Sequence, residues 1–147
     1  GVAVVTLNRP DVYNAFNSDT PERVMPVKPD TIARSIAIGN PSDGMYVNRI
    51  ALETGGTVAA VTEQEIVAAM RLLARTEGIF TETAGGVTIG VLAKLARAGR
   101  WKGDETIVAY VTGHGLKTAD VLASVDGHAK RVEIEPTLKS FREKVNI

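Results

Sequence analysis

The chain contains no cysteine. A disulfide framework and a thiolate metal site are therefore both excluded. Aromatic residues make up only 5% of the 147 positions while hydrophobic residues reach 44%, so any core is mostly aliphatic. Excess charge is missing too: 17 Lys and Arg balance 17 Asp and Glu. With the basic residues scattered, no electrostatic footprint for nucleic acid or an anionic membrane is left. Apolar runs are broken by Gly, Lys or Arg well short of a membrane span, and nothing reads as a basic, then apolar, then small-residue leader. A cytoplasmic chain with no nucleic-acid or membrane partner is expected.

What is present suits one α/β domain, long enough to bury about two-thirds of the surface its unfolded form exposes. The opening Val-Ala-Val-Val-Thr-Leu at 2–7 reads as a strand, ended by a turn at Asn8-Arg9-Pro10-Asp11. Three of the six prolines then fall in an irregular connector with a short extended piece at Arg23–Val27. Asp30 caps a short helix carrying Ile32, Ala33, Ile36 and Ala37, stopped at Gly39. Ser42-Asp43 cap a second helix, with Val47, Ile50, Ala51 and Thr54 on one face and Gly55-Gly56 supplying left-handed backbone at its end. Residues 57–61 form a strand, and Thr62 and Glu65 form a capping box ahead of the periodic set Ile66, Ala69, Met70, Leu73 and Ala74. "GIFTE" is a short strand. "AGGVTIGVLAKLARAG" is a helix apolar on most sides, as buried helices are.

The run "ETIVAYV" at 105–111 is apolar without clean alternation, which predicts a central parallel strand covered on both faces. Val132 and Ile134 belong to a last strand, and Leu138, Phe141 and Val145 line a terminal helix. Strands alternating with helices imply an open, mostly parallel sheet flanked by helices, with right-handed crossovers.

In such a sheet, ligands sit where loops and helix N-termini converge beyond the strand ends. Three stretches answer to that rule. "VTGHGLKT" follows the buried run, with Gly113 and Gly115 allowing close backbone approach or simply making a tight turn. "TETAGG" at 81–86 starts the buried helix, where free amides at 84–87 could face an anion and Glu82 could instead cap the helix. "IGNPSDG" at 38–44 is a small, polar loop that composition alone makes a turn. His114 and His128 have no partner at ligand spacing, so no metal is expected. No serine sits in a nucleophile elbow, and no Gly-x-x-x-x-Gly-Lys phosphate loop occurs. Glu77 and Glu82 read as unrelated surface and cap residues.

Taken in order, "KPDTIARSIAIGNPSDG", the stretch from "TGGTVAAVT" through "TETAGGVT", and "ETIVAYVTGHGLKT" closely resemble the C-terminal part of threonine synthases, from about residue 21 to about residue 141. These are pyridoxal-phosphate enzymes of the tryptophan-synthase-β fold type. The resemblance implies a parent lyase reaction in threonine biosynthesis, O-phosphohomoserine to threonine plus phosphate, with the cofactor as electron sink. It places Thr112 at the pyridine nitrogen, Gly113, Glu82 and Thr83 near the cofactor, and Gly39 and Asn40 near the substrate. His114 stands where many relatives carry Asn and is given no role. The family's Schiff-base lysine, in a Ser-Phe-Lys-Asp-like segment, and its Gly/Asn-rich phosphate loop both lie upstream of the resembling part and find no counterpart. Lys28, Lys94, Lys102 and Lys117 sit in no such context.

Residues 1–17 have another look: Gly1, Leu7-Asn8-Arg9-Pro10 and Asn14-Ala15-Phe16 resemble the first hairpin of the enoyl-CoA hydratase (crotonase) family. The combined expectation is a chimera, with residues 1–20 as a crotonase-like segment and junction and 21–147 as a threonine-synthase-like α/β domain. No catalytic residue and no bound cofactor are expected for the chain alone. The alternatives are one part of an enzyme completed by a complementary N-terminal chain, or a non-catalytic interaction or regulatory module. An apolar sheet edge uncovered in this way is expected to be hidden by homodimerisation. The pairing partner of residues 2–7 is the most informative single observation.

Overall fold

A computed structural model describes residues 4–6, 26, 28–126 and 132–145. The order is β1 (Val4–Thr6), a 3-10 turn at Arg34–Ile36, α1 (Gly44–Glu53), β2 (Thr57–Ala59), α2 (Glu63–Glu77), α3 (Thr83–Arg97), a 3-10 turn at Gly115–Thr118, α4 (Ala119–Asp126) and α5 (Leu138–Val145). β1 pairs with β2 in parallel, Val4 against Thr57 and Thr6 against Ala59. The rest of the crotonase-like stretch, the junction at 18–20, the extended piece at 23–27 apart from residue 26, and His128 lie outside the described residues.

The centre of the molecule is the α2–α3 pair. Thr62 starts α2 as the sequence predicts: its hydroxyl accepts from the Glu65 N–H at 3.1 Å, and Glu65 Oε2 accepts from the Thr62 N–H at 2.7 Å. Two orphan amides are satisfied at once, and such caps contribute about 1 kcal/mol. Gly78, at φ 69°, ends the helix. Along the inner face Ile66, Met70, Val87 and Val91 join Val61 and Ala33 in one fully buried cluster. A second cluster of Ala69, Leu73 and Ile89 lies beside it, with Leu92 and Val111 packed on.

Glycine brings the two helices together. A Cβ at Gly86 would lie 2.7 Å from Met70 Cγ and 3.0 Å from the Ile66 carbonyl, so the site has no room for one. Both α1 and α3 finish on Schellman pairs. Gly56 N–H donates to the Ala51 carbonyl and Gly55 N–H to Leu52, while Arg100 and Gly99 do the same to Leu95 and Ala96.

Several expectations fail. The helix expected from Asp30 is only a single 3-10 turn, because Ala33 is drawn fully into the core and the Ile32 N–H is taken by Glu63 Oε2 at 3.1 Å. Tertiary contacts there outweigh a helical spacing too short to pay for nucleation. The wide parallel sheet is absent among the described residues, where the sheet has two strands. "GIFTE" contributes one isolated bridge, Thr81 to His114. Residues 105–111 lie at the surface with no ladder partner among the described residues, Val108 71% and Tyr110 77% exposed, rather than as a buried central strand. Val132 and Ile134 are likewise exposed and in no strand, and α5 has no buried residue. Ile50 faces outward from α1, whose inner face is Gly44, Asn48 and Ala51. Among the described residues no helix is long and apolar enough to cross a membrane.

Candidate functional site

The link between α2 and α3 and the loop at 113–118 are laced together by backbone. Glu82 N–H donates to the Gly113 carbonyl at 3.0 Å, and Gly115 N–H donates to the Phe80 carbonyl at 2.9 Å. Thr118 Oγ1 accepts from the Thr83 N–H at 3.2 Å, and the Thr81 hydroxyl reaches the Gly113 carbonyl at 3.3 Å. Gly115 is required here: a Cβ would fall 2.3 Å from the Phe80 ring. His114 caps the turn that follows, its Nδ1 accepting from the Leu116 N–H at 3.2 Å. Its ring meets Phe80 edge-on, with centroids 5.6 Å apart.

Glu82 is the unusual member. It occupies the N-cap position of α3, yet its side chain makes no capping bond. The carboxylate turns instead across Gly113, where a Cβ would sit 1.7 Å from Oε1, and meets Lys117 Nζ at 3.3 Å. The Glu82 side chain is 5% exposed against 64% for Lys117, so one partner of the pair is desolvated and the other wet. Among the described residues, Glu82 Oε2 and the neighbouring Thr83 Oγ1 are buried without a hydrogen-bond partner. Unpartnered buried oxygens of this kind are uncommon in a folded interior, each costing about 1–3 kcal/mol.

The sequence-predicted residues are thus brought together only in part. Glu82, Thr83 and Gly113 form one cluster, and Thr112 enters it along the chain but is itself exposed. Gly39 is half-buried and Asn40 exposed in the loop before α1, and among the described residues neither is hydrogen-bonded to the cluster. Sequence reading missed Thr81, Lys117 and Thr118. Lys117 and Glu82 are 35 positions apart, and no local pattern signals such a pair.

A separate open cleft of about 580 Å³ lies on another face of α2, lined by Glu63, Gln64, Val67 and Arg71 together with Ile32 and Val121. An Arg34–Asp120 ion pair borders it. Its size suits a small ligand, but the orphaned oxygens are not part of its lining, so the chemical signal stays with the Glu82 cluster. No group of three His, Asp or Glu able to hold a metal occurs among the described residues.

Comparison with known proteins decides the family. The profile of the family described as pyridoxal-phosphate dependent enzyme matches residues 2–113. The chain belongs to the pyridoxal-phosphate dependent enzyme family. It is 40% identical over 124 residues to a threonine synthase of Methanocaldococcus jannaschii, covering 84% of this chain and 30% of that protein. A threonine synthase of a Bacillus species is 40% identical over 97 residues, 66% of this chain and 28% of the relative. One from Methanosarcina acetivorans is 34% identical over 134 residues, 91% and 33% respectively. The chain therefore spans about a third of the length of these relatives. The family match starts at residue 2, inside the stretch that the sequence reading assigned to a crotonase-like segment, a likeness the comparison does not show.

Pyridoxal phosphate, which the family implies, is held covalently by an enclosed lysine. Among the described residues every lysine is exposed. Lys94 donates to the Ala60 carbonyl at 3.0 Å, Lys144 to the Glu133 carbonyl at 2.7 Å, and Lys117 is tied to Glu82. The space over Gly113 is filled by the Glu82 carboxylate. The described residues do not fit the cofactor as a covalent group.

Proposed function

We propose that this chain is a threonine-synthase-like domain that keeps one wall of the family's ligand site, the Glu82, Thr83 and Gly113 cluster, and does not catalyse alone. A single observation carries the reading: among the described residues the cluster holds unpartnered buried oxygens, while the amine paired with Glu82, that of Lys117, lies at the surface. Lysines that form Schiff bases are activated by enclosure in a desolvated pocket, whereas Lys117 is 64% exposed. The test is to mix the purified chain with pyridoxal phosphate, reduce with borohydride and locate any adduct by mass spectrometry, with O-phosphohomoserine turnover assayed in parallel. Scattered substoichiometric labelling and no threonine are expected. One lysine labelled at full yield, or turnover by the pure chain, overturns the reading.

A second reading is favoured by the orphaned oxygens together with the one-third coverage of the relatives: a complementary chain supplies the missing donors and the amine. Adding such a chain in the same assay separates the two. For residues 1–20, the match beginning at residue 2 and the parallel β1–β2 pairing support a single continuous domain over a crotonase-like addition.

A further inference from the structure

An acidic side chain at the head of a helix is favoured beside the free amides there, where the dipole attracts negative charge. Glu82, at the N-cap of α3, makes no such bond. Its carboxylate lies buried across Gly113 instead, with Oε1 3.3 Å from Lys117 Nζ. A buried carboxylate left without a partner is costly, and a cation within reach offsets that cost. Among the described residues the ion pair that Glu82 makes is with Lys117. A pair with one exposed partner usually contributes little, since two long side chains must be held in one geometry. Here the backbone does much of the holding. Lys117 sits in the 3-10 turn Gly115–Thr118, its own N–H donating to the His114 carbonyl at 3.2 Å. Two residues before it, Gly115 N–H is bonded to the Phe80 carbonyl, and one residue after it, Thr118 Oγ1 accepts from the Thr83 N–H. The turn carrying the ammonium is thereby fixed against the strip carrying the carboxylate.

We propose that Lys117 is a positioning residue, a latch that holds the Glu82 carboxylate over Gly113 and off the start of α3. Two resting places are open to that carboxylate: the buried one beside Lys117, and the cap, where the Ala84 and Gly85 amides stand at the second and third helical positions. The ion pair decides between them. While it holds, the space over Gly113 is filled and α3 starts without a side-chain cap. When it breaks, the carboxylate caps the helix and Gly113 is uncovered. The inference rests on the proposed function only in reading this cluster as a wall of the family's ligand site.

Backbone NMR of the full chain, with no cofactor added, tests the latch, because the amide shifts and hydrogen exchange of Ala84 and Gly85 report capping directly. Lys117 is largely exposed, so its substitution should leave the fold intact. Lys117→Met is expected to shift these amides and to slow exchange at one of them by roughly fivefold, the size of an ordinary cap bond. Lys117→Arg, which restores the cation, should return the wild-type signature. Glu82→Asp supplies the capped reference, since the shorter acid is a favoured N-cap and falls short of Lys117. Lys94→Met, near the far end of α3, should leave Ala84 and Gly85 alone. Unchanged Ala84 and Gly85 amides in Lys117→Met overturn the proposal, as does Lys117→Arg behaving like Lys117→Met, or Glu82→Asp without a cap signature. These readouts stand apart from the borohydride test: a latch can fail in an inert chain and hold in a reactive one.

Discussion

The α2–α3 pair and the segment at 105–112 are both written in apolar residues, yet one is closed on itself and the other is open. α2 carries its own start and stop, a reciprocal cap at Thr62 and Glu65 and a left-handed glycine at 78, and its inner face finds α3 only a few residues later. The 105–111 run has no such local means, because a strand's hydrogen bonds must come from another strand. Among the described residues that other strand is missing. A helix can be completed by its own neighbours in sequence; a strand is only half a structure.

The sharpest way to break this contrast is inside the helix pair. Ile66→Ala, at a fully buried position, should cost about 2–5 kcal/mol in denaturant unfolding, the usual range for emptying a close-packed aliphatic site. A loss under 1 kcal/mol would mean that α2 and α3 do not form the centre of stability.

Next in size is the cap. Thr62→Ala should cost about 1 kcal/mol at neutral pH. The Glu65 carboxyl is held below its ordinary value of 4.5, chiefly by the hydrogen bond from the Thr62 backbone N–H and further by Lys94, against an opposing effect of burial. A carboxyl lowered in the fold gives stability that is complete above its ordinary value and lost as pH falls through its folded value. The wild-type chain should therefore lose the benefit of the Glu65 carboxylate on acidification. Glu65→Gln, which keeps the acceptor without titrating, should flatten that acid slope in unfolding measured from pH 6 to pH 3 (a window set by the ordinary carboxylate range).

The smallest effect belongs to the open segment. Ile107→Ala, nearly half exposed, should change monomer stability by less than about 0.5 kcal/mol, as surface substitutions do. A core-sized loss would show that the run is packed after all.

What the sequence makes legible follows the same division. Thr62 with Glu65, Gly55-Gly56 after α1 and the Ile66–Leu73 stripe are all signals spaced within a turn or two, and each is found where expected. The Asp30 stretch carried the right spacing and yielded one turn, because Ala33 and Ile32 were claimed by residues about thirty positions away. The run at 105–111 was read correctly as apolar and wrongly as covered, since burial belongs to the partner and not to the pattern. In the candidate site, Glu82, Thr83 and Gly113 were named by family resemblance, and the reading of Glu82 as a helix cap fails, since its side chain makes no capping bond. The Lys117 and Thr118 contacts were not legible, being made across 35 residues.

The bonds that tie Phe80, Glu82 and Thr83 to Gly113, Gly115 and Thr118 bridge a long excursion that includes all of α3 and the exposed turn at Gly103. Chain connectivity through that turn is accordingly redundant for holding the two strips in register. A single protease nick at Gly103 would leave two peptides still clasped across the start of α3, so the clasp, rather than the covalent thread, is what would have to open before either piece could leave.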